Sequence, residues 1–145
     1  KAPRGQKVLV VGGGMVGCEA AEYLAERGHE AAVIEMKDVI AADVTPENRR
    51  YMFANFEEHH VLLRPSAKVS QFYPDGVDYT LADGTAGSLR GYDNVVLAMG
   101  SRSNAVLKET AEKVAPQVFV IGEAAKAPGN AVLATHDALE AALQI

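Results

Sequence analysis

Cys18 is the only cysteine in the sequence, which excludes an intrachain disulfide, a C-x-x-C redox pair and a protein-held iron–sulfur cluster. Any redox electron must therefore sit on a bound cofactor. Cations are in deficit as well: 14 Lys+Arg against 19 Asp+Glu leave a formal charge of −5. Such a balance has no surplus to neutralise a phosphate backbone, so no nucleic-acid partner is expected. No apolar run approaches the roughly 18 residues that span a bilayer, and the basic start with Pro3 and Gly5 is no signal peptide. No membrane partner and a cytoplasmic location are expected. Internal repeats and low-complexity segments are also missing. The first residue is Lys1 rather than Met, which predicts a processed protein or an excised piece of a longer one.

What remains is 145 residues with 48% hydrophobic content, enough for one domain with a real core. Lys7 to Val11 is a short β-branched run bounded by glycine, as expected of a strand buried on both faces of a parallel sheet. From Met15 to Arg27, Val16, Ala20 and Leu24, with Gly17 and Ala21, recur at i, i+4, and Gly28 ends the helix that this spacing predicts. Ala31 to Glu35 is a second apolar strand, completing a βαβ unit with short connections. Thr45-Pro46 is an N-cap followed by proline at the first helical position, opening a helix to about His59 with Met52, Phe53 and Phe56 inward. Tyr23 is placed in the core with them.

Val61 to Leu63 predicts a third strand. Lys68 to Tyr73, Val77 to Leu81 and Ala86 to Leu89 are separated by Pro74-Asp75-Gly76 and Asp83-Gly84, which is turn chemistry and predicts a three-stranded antiparallel meander. Asn94 to Met99 and Val118 to Ile121 are two further buried strands. A polar helical stretch around Leu107 to Val114 lies between them, and a last helix runs from about Asn130 to Leu143. The expected fold class is α/β: a Rossmann-like parallel sheet with flanking helices and a three-stranded antiparallel meander as crossover. The whole chain, 1–145, is expected to be one dinucleotide-binding domain with its core at 7–101 and a return segment at 102–145.

Gly12-Gly13-Gly14-Met15-Val16-Gly17 is a G-x-G-x-x-G between a predicted strand and a predicted helix, and Glu35 ends the next strand. In that setting Gly12 permits the tight turn, Gly14 lets backbone approach a pyrophosphate, and Gly17 with Ala21 lets the helix lie close on the sheet. The helix N-terminus then faces the phosphates with its unpaired N–H groups and partial positive charge. Glu35 is placed to accept from the adenosine ribose hydroxyls and to repel a 2′-phosphate, which favours NAD(H) over NADP(H). Lys37, with Arg49 and Arg50, leaves NADP(H) open. The plain alternative is that the glycines only shape a turn and Glu35 is a solvated strand end.

Around this motif the candidate cofactor-binding residues are Gly12, Gly13, Gly14, Met15, Val16, Gly17, Glu35, Met36, Lys37, Ala98, Met99, Gly100, Arg102, Gly122 and Glu123. Arg102 and Asn104, just past the glycine after the fourth strand of the sheet, fall at the carboxyl ends of its strands, where open α/β folds bind ligands. Cys18 has no partner thiol and is expected to be a packed helix residue. His59 and His60 are adjacent and diverge, and His29 and His136 lie far off, so no metal site is expected. His136 and Asp137 point apart on one helix, and no catalytic residue is assigned.

The stretch VLVVGGGMVGCEAAEYLAERGHEAAVIE, residues 8–35, resembles the nicotinamide-binding half of the pyridine nucleotide–disulfide oxidoreductase superfamily, including Glu19 two positions after Gly17. The meander, the strand ending Ala98-Met99-Gly100 and the late strand ending Gly122-Glu123 are similar to that superfamily too. More narrowly, LAMGSRSN, VFVIGEA and PGNAVLATHDALEAA resemble the C-terminal region of the NADH:flavin oxidoreductases that include 2,4-dienoyl-CoA reductase and enoate reductases. This resemblance implies an NAD(H)-binding module whose partner is the flavin-carrying remainder of a larger enzyme, with FAD possible in the full-length protein. The alternative is a non-catalytic or regulatory domain holding ADP or FAD as a structural ligand.

Two departures from the resemblance stand out. Glu123 occupies the place of an Asp that bonds the flavin's ribityl chain, and the flavin half's own glycine motif is missing. In its absence the late strand, Val118 to Ile121, is expected to dock beside Asn94 to Met99 and extend one sheet.

Overall fold

A computed structural model describes residues 6–145; the basic start of the sequence, Lys1–Gly5, lies outside the described residues. The chain divides into two compact units, Lys1–Met99 and Gly100–Ile145.

The first unit is built on a four-stranded parallel sheet: β1 (Lys7–Val11), β2 (Glu30–Ile34), β3 (Leu62–Arg64) and β7 (Asn94–Leu97), in the order β3-β2-β1-β7. β1 is central because its β-branched residues tolerate burial on both faces. Val10 pairs with Val33 on one side and Val96 on the other, and Leu9 and Val10 are completely buried. α1 (Met15–Ala25) and α2 (Pro46–Glu58) cover one face, where Val10, Val33, Cys18, Ala21, Met52 and Phe56 form one core cluster. The meander β4 (Ala67–Tyr73), β5 (Gly76–Leu81) and β6 (Ala86–Leu89) covers the other. There Leu9, Val11, Ala32 and Ile34 meet Ala67, Val77 and Tyr79. The expected α/β class, βαβ start and antiparallel crossover are all present.

Four details differ from expectation, the first being that β7 is not buried: Leu97 is 60% exposed, since β7 is an edge strand paired with β1 alone among the described residues. The buried face of α1 is Gly17, Cys18, Ala21 and Ala25, so the stripe lies one residue round from the expected one and Val16 is 67% exposed. The sheet demands small residues at the contact, and Cys18 satisfies that where Val16 would not. Tyr23 is exposed rather than in the core, its ring lying under the Arg27 guanidinium at 3.4 Å. Thr45 stands at the N-cap of α2 ahead of Pro46, but its side chain makes no capping hydrogen bond.

The second unit contains α3 (Lys108–Ala111), a 3₁₀ turn (Gly122–Ala124) and α4 (Ala131–Ala142). Asn130 caps α4 by accepting from the Leu133 amide at 2.9 Å, as its short polar side chain favours. Asp137 of α4 accepts from the Gly122 amide at 3.0 Å. No residue of this unit is fully buried.

The late strand is a correction. Val118–Ile121 is not assigned to any strand, and β7 pairs with β1 alone among the described residues. β-branched composition gives a segment a preference for a pleated surface but supplies no neighbouring ladder, and that preference is decided by context.

Candidate functional site

The glycine turn joins β1 to α1 at the carboxyl end of the central strand. Gly12 has φ +107, and a Cβ there would stand 2.2 Å from the Ala98 carbonyl oxygen. At Gly17 a Cβ would stand 1.9 Å from the Gly12 carbonyl oxygen. Both positions are glycine because backbone occupies the space, which is how α1 comes to lie against the sheet. Gly14, the N-cap of α1, has ordinary extended backbone at φ −75. A Cβ at Gly14 would point to the outside of the turn, where the tip of the Asp43 side chain, Oδ2, lies 3.3 Å away.

Glu35 follows β2 directly and is 8% exposed. Its Oε2 accepts from the Gly13 amide at 2.6 Å and its Oε1 from the Lys37 amide at 2.8 Å. Burial of a carboxylate is tolerated here because both oxygens take charge-assisted bonds. The acid expected to face solvent-borne ribose hydroxyls is thus also the brace of the glycine turn. Each oxygen retains further acceptor capacity for a ligand hydroxyl.

The segment after Glu35 folds back over the turn. Ile40 and Ala41 are buried, Ala41 donates to the Gly13 carbonyl at 2.7 Å, and Asp43 Oδ1 accepts from the Met15 amide at 2.9 Å. Among the N–H groups of the helix end expected to be unpaired, that of Met15 is therefore already donated. Asp43 was not among the candidates read from the sequence. It lies eight residues past Glu35 in an irregular segment outside any helix or strand, and no periodicity marks such a position.

The other first-unit candidates fall around this turn. Met15 and Val16 are exposed at the start of α1, Met36 and Lys37 are exposed beside Glu35, and Ala98 packs against Gly12 with Met99 exposed after it. Arg49 does not turn toward Glu35: its Nε donates to the Ile40 carbonyl at 3.0 Å and its guanidinium lies 4.5 Å over the Phe53 ring. Cys18 is fully buried, and its thiol is pushed up to about 11 by burial and, next, by the Asp43 carboxylate.

Gly100, Arg102, Asn104, Gly122 and Glu123 belong to the second unit. Arg102 is exposed, and the Asn104 side chain accepts from the Val106 amide of its own loop. Glu123 Oε1 accepts from the Gly129 amide at 2.9 Å and from Ser101 Oγ at 3.0 Å. These two bonds, the amide first, hold its carboxyl below the ordinary carboxylate range. His136 and Asp137 take separate partners, Glu140 and the Gly122 amide.

Comparison with known proteins places this geometry in context. The family model described as pyridine nucleotide-disulphide oxidoreductase matches residues 1–138. An NADH oxidase of Thermoanaerobacter brockii is 36% identical over 141 residues, covering 97% of this chain and 21% of that protein. A bilirubin reductase of Mediterraneibacter gnavus is 38% identical over 117 residues, covering 81% of this chain and 18% of that protein. Among solved structures, a 2-naphthoyl-CoA reductase complex superposes with a TM-score of 0.79 at 29% identity over 99% of this chain and 22% of that one. The chain thus spans about a fifth of the length of these relatives. No helix among the described residues is long and apolar enough to cross a membrane.

Proposed function

This chain belongs to the pyridine nucleotide-disulphide oxidoreductase family, and from that premise we propose that it is the NAD(H)-binding module of a larger flavin-dependent oxidoreductase. Residues 1–145 act as one functional piece of that enzyme, with the flavin carried by another part of it. The observation that carries the reading is the braced turn: β1 ends in Gly12–Gly14, α1 begins over Gly14, and Glu35 holds the turn through the Gly13 amide.

This arrangement supplies what a dinucleotide needs. Backbone N–H groups and the helix end favour the pyrophosphate without a lysine, as suits a chain of net charge −5. The second acceptor capacity of Glu35 serves the ribose, and its charge disfavours a 2′-phosphate. The nicotinamide supplies the hydride chemistry; the protein supplies position and electrostatics. Names such as NADH oxidase among the relatives support a reduced-nicotinamide donor.

The second unit supports the fragment reading. Val106, Val132 and Leu143 are all more than three-quarters exposed, and the Val118–Ile121 run has no ladder, as expected of a surface that docks on the remainder of the parent enzyme. Such a module has little or no turnover alone.

Calorimetric titration of the 145-residue chain with NADH, NADPH, FAD and ADP tests the proposal. Micromolar to submillimolar NADH binding that exceeds NADPH binding, and is lost in Gly14→Val, is expected. Equal ADP and NADH binding would overturn the hydride-donor role in favour of a structural ligand, and FAD binding with silence for NADH would reassign the half.

A further inference from the structure

Asp43 sits where the proposed site presents its positive end. Its Oδ1 accepts from the Met15 amide, the first N–H of α1, at 2.9 Å, and its Oδ2 covers the open side of Gly14 at 3.3 Å from the Cβ position. The space that a missing Cβ would leave to an approaching phosphate is therefore filled by a carboxylate of the same chain. Resting on the dinucleotide reading above, we propose that Asp43 is an intrinsic competitor for the pyrophosphate position, setting the affinity of the site by having to leave the Met15 amide before an anion can take it.

The physical case rests on charge and on anchoring. A helix N-terminus favours a nearby anion, and two anions placed there repel each other. No ion pair among the described residues engages Asp43, and the buried carboxylate of Glu35 on the neighbouring Gly13 has the same sign. An incoming pyrophosphate therefore meets negative charge on both sides of the turn until Asp43 moves.

The backbone that carries Asp43 is pinned. Ile40 and Ala41 are buried and Ala41 donates to the Gly13 carbonyl, so the loop does not lift off. The Asp43 side chain itself is exposed, and rotation about its own bonds is enough to release the amide. Displacement is thus a side-chain event, and the competitor is retained at every unliganded site.

Asp43→Asn isolates the charge, because the asparagine carbonyl can still accept from Met15 while the formal negative charge is gone. Binding of ADP and of NADH to the 145-residue chain is measured by calorimetry at low salt, and the backbone amide of Met15 is followed by NMR. The expected result is an affinity about fivefold or more higher in Asp43→Asn, a gap that narrows as salt is raised, with a Met15 amide shift on ligand addition in both proteins. Asp43→Ala, which lacks the acceptor, should show a free Met15 amide before ligand is added and an affinity at least as high.

Equal or weaker binding in Asp43→Asn, with wild type binding normally, would overturn the competitor role and leave the dinucleotide reading intact. Silence of both proteins toward both ligands would overturn the dinucleotide reading and the competitor with it.

Discussion

Glu35 Oε2 and the Gly13 amide are 2.6 Å apart, which joins the acid after β2 to the turn after β1 through a buried bond. Gly12 also donates to the Ile34 carbonyl at 2.9 Å, so the turn and the end of β2 are held by two bonds side by side. A residue placed by sequence as a ligand contact is therefore a structural element as well, and the two roles separate experimentally.

Glu35→Gln tests the structural role. Both carboxylate oxygens accept from backbone N–H groups, those of Gly13 and Lys37. A glutamine offers one oxygen and one NH₂, so one of the two backbone donors faces another donor. A loss of about 1–3 kcal/mol in unfolding free energy is expected, read as a lower urea midpoint at unchanged slope. A midpoint equal to wild type would show that Glu35 is not bonded as described.

Gly17→Ala and Gly14→Ala should part company. At Gly17 the new methyl meets the Gly12 carbonyl at 1.9 Å, and α1 must retreat from the sheet, at an expected cost of about 1–3 kcal/mol or more. At Gly14 the nearest atoms are the tips of the Asp43 side chain, which can swing away. Alanine is a poorer N-cap than glycine, at a cost of up to about 1 kcal/mol. Gly14→Ala should therefore lose NADH affinity with only a small drop in thermal midpoint, whereas Gly17→Ala loses far more of the midpoint. Matched losses of stability in the two variants would contradict this division of labour.

The Cys18 thiol predicts an alkaline effect. Its value is raised to about 11 by burial, with the Asp43 carboxylate second, so the folded state favours the protonated thiol. The stabilising contribution is full below the ordinary thiol value and is lost as pH rises through about 11. Near pH 8 a disulfide reagent should label native chain far more slowly than urea-unfolded chain. The Cys18→Ala variant should show a smaller loss of stability than wild type between pH 9 and pH 11. Rapid labelling of native chain at pH 8 would place the thiol in a different environment.

Glu123 predicts the opposite sign at acid pH. Its carboxyl lies below the ordinary range because it accepts from Gly129 and Ser101. The bond to Gly129 is present above that range and lost as pH falls through the lowered value. The Gly129 amide shift should titrate in Glu123-containing chain and not in Glu123→Gln. A midpoint at or above the usual glutamate value would remove the interaction.

How much was legible in the sequence follows from which forces act locally. β1, α1 and β2 were readable because β-branched runs, small-residue spacing and glycine stops are chain-local, and the meander was readable because Asp83-Gly84 and Pro74-Asp75-Gly76 set the turns. Asp43 was not readable, since its importance comes from a fold-back pinned by Ile40 and Ala41 rather than from spacing. Val16 was placed on the wrong side of α1 because a helical stripe can shift by one residue when the facing surface, here β1, demands a small side chain. Val118–Ile121 failed as a strand because its preference is unmistakable but its partner is not in the sequence pattern.

That last segment yields the clearest measurement of the second unit. Among the described residues, no backbone hydrogen bond holds Val118–Ile121, whereas β1 is laddered on both sides. Amide exchange follows the opening free energy of each bonded group, so amides without a bond exchange near the rate of an open chain. In the 145-residue chain the amides of Val118 to Ile121 should exchange roughly a thousandfold or more faster than those of Val8 to Val11. In a longer protein that supplies the proposed docking surface, the same four amides should become protected while those of β1 change little. Strong protection of Val118 to Ile121 in the isolated chain would mean that the segment has a partner here after all, and would remove the unpaired run from the support for a larger parent enzyme.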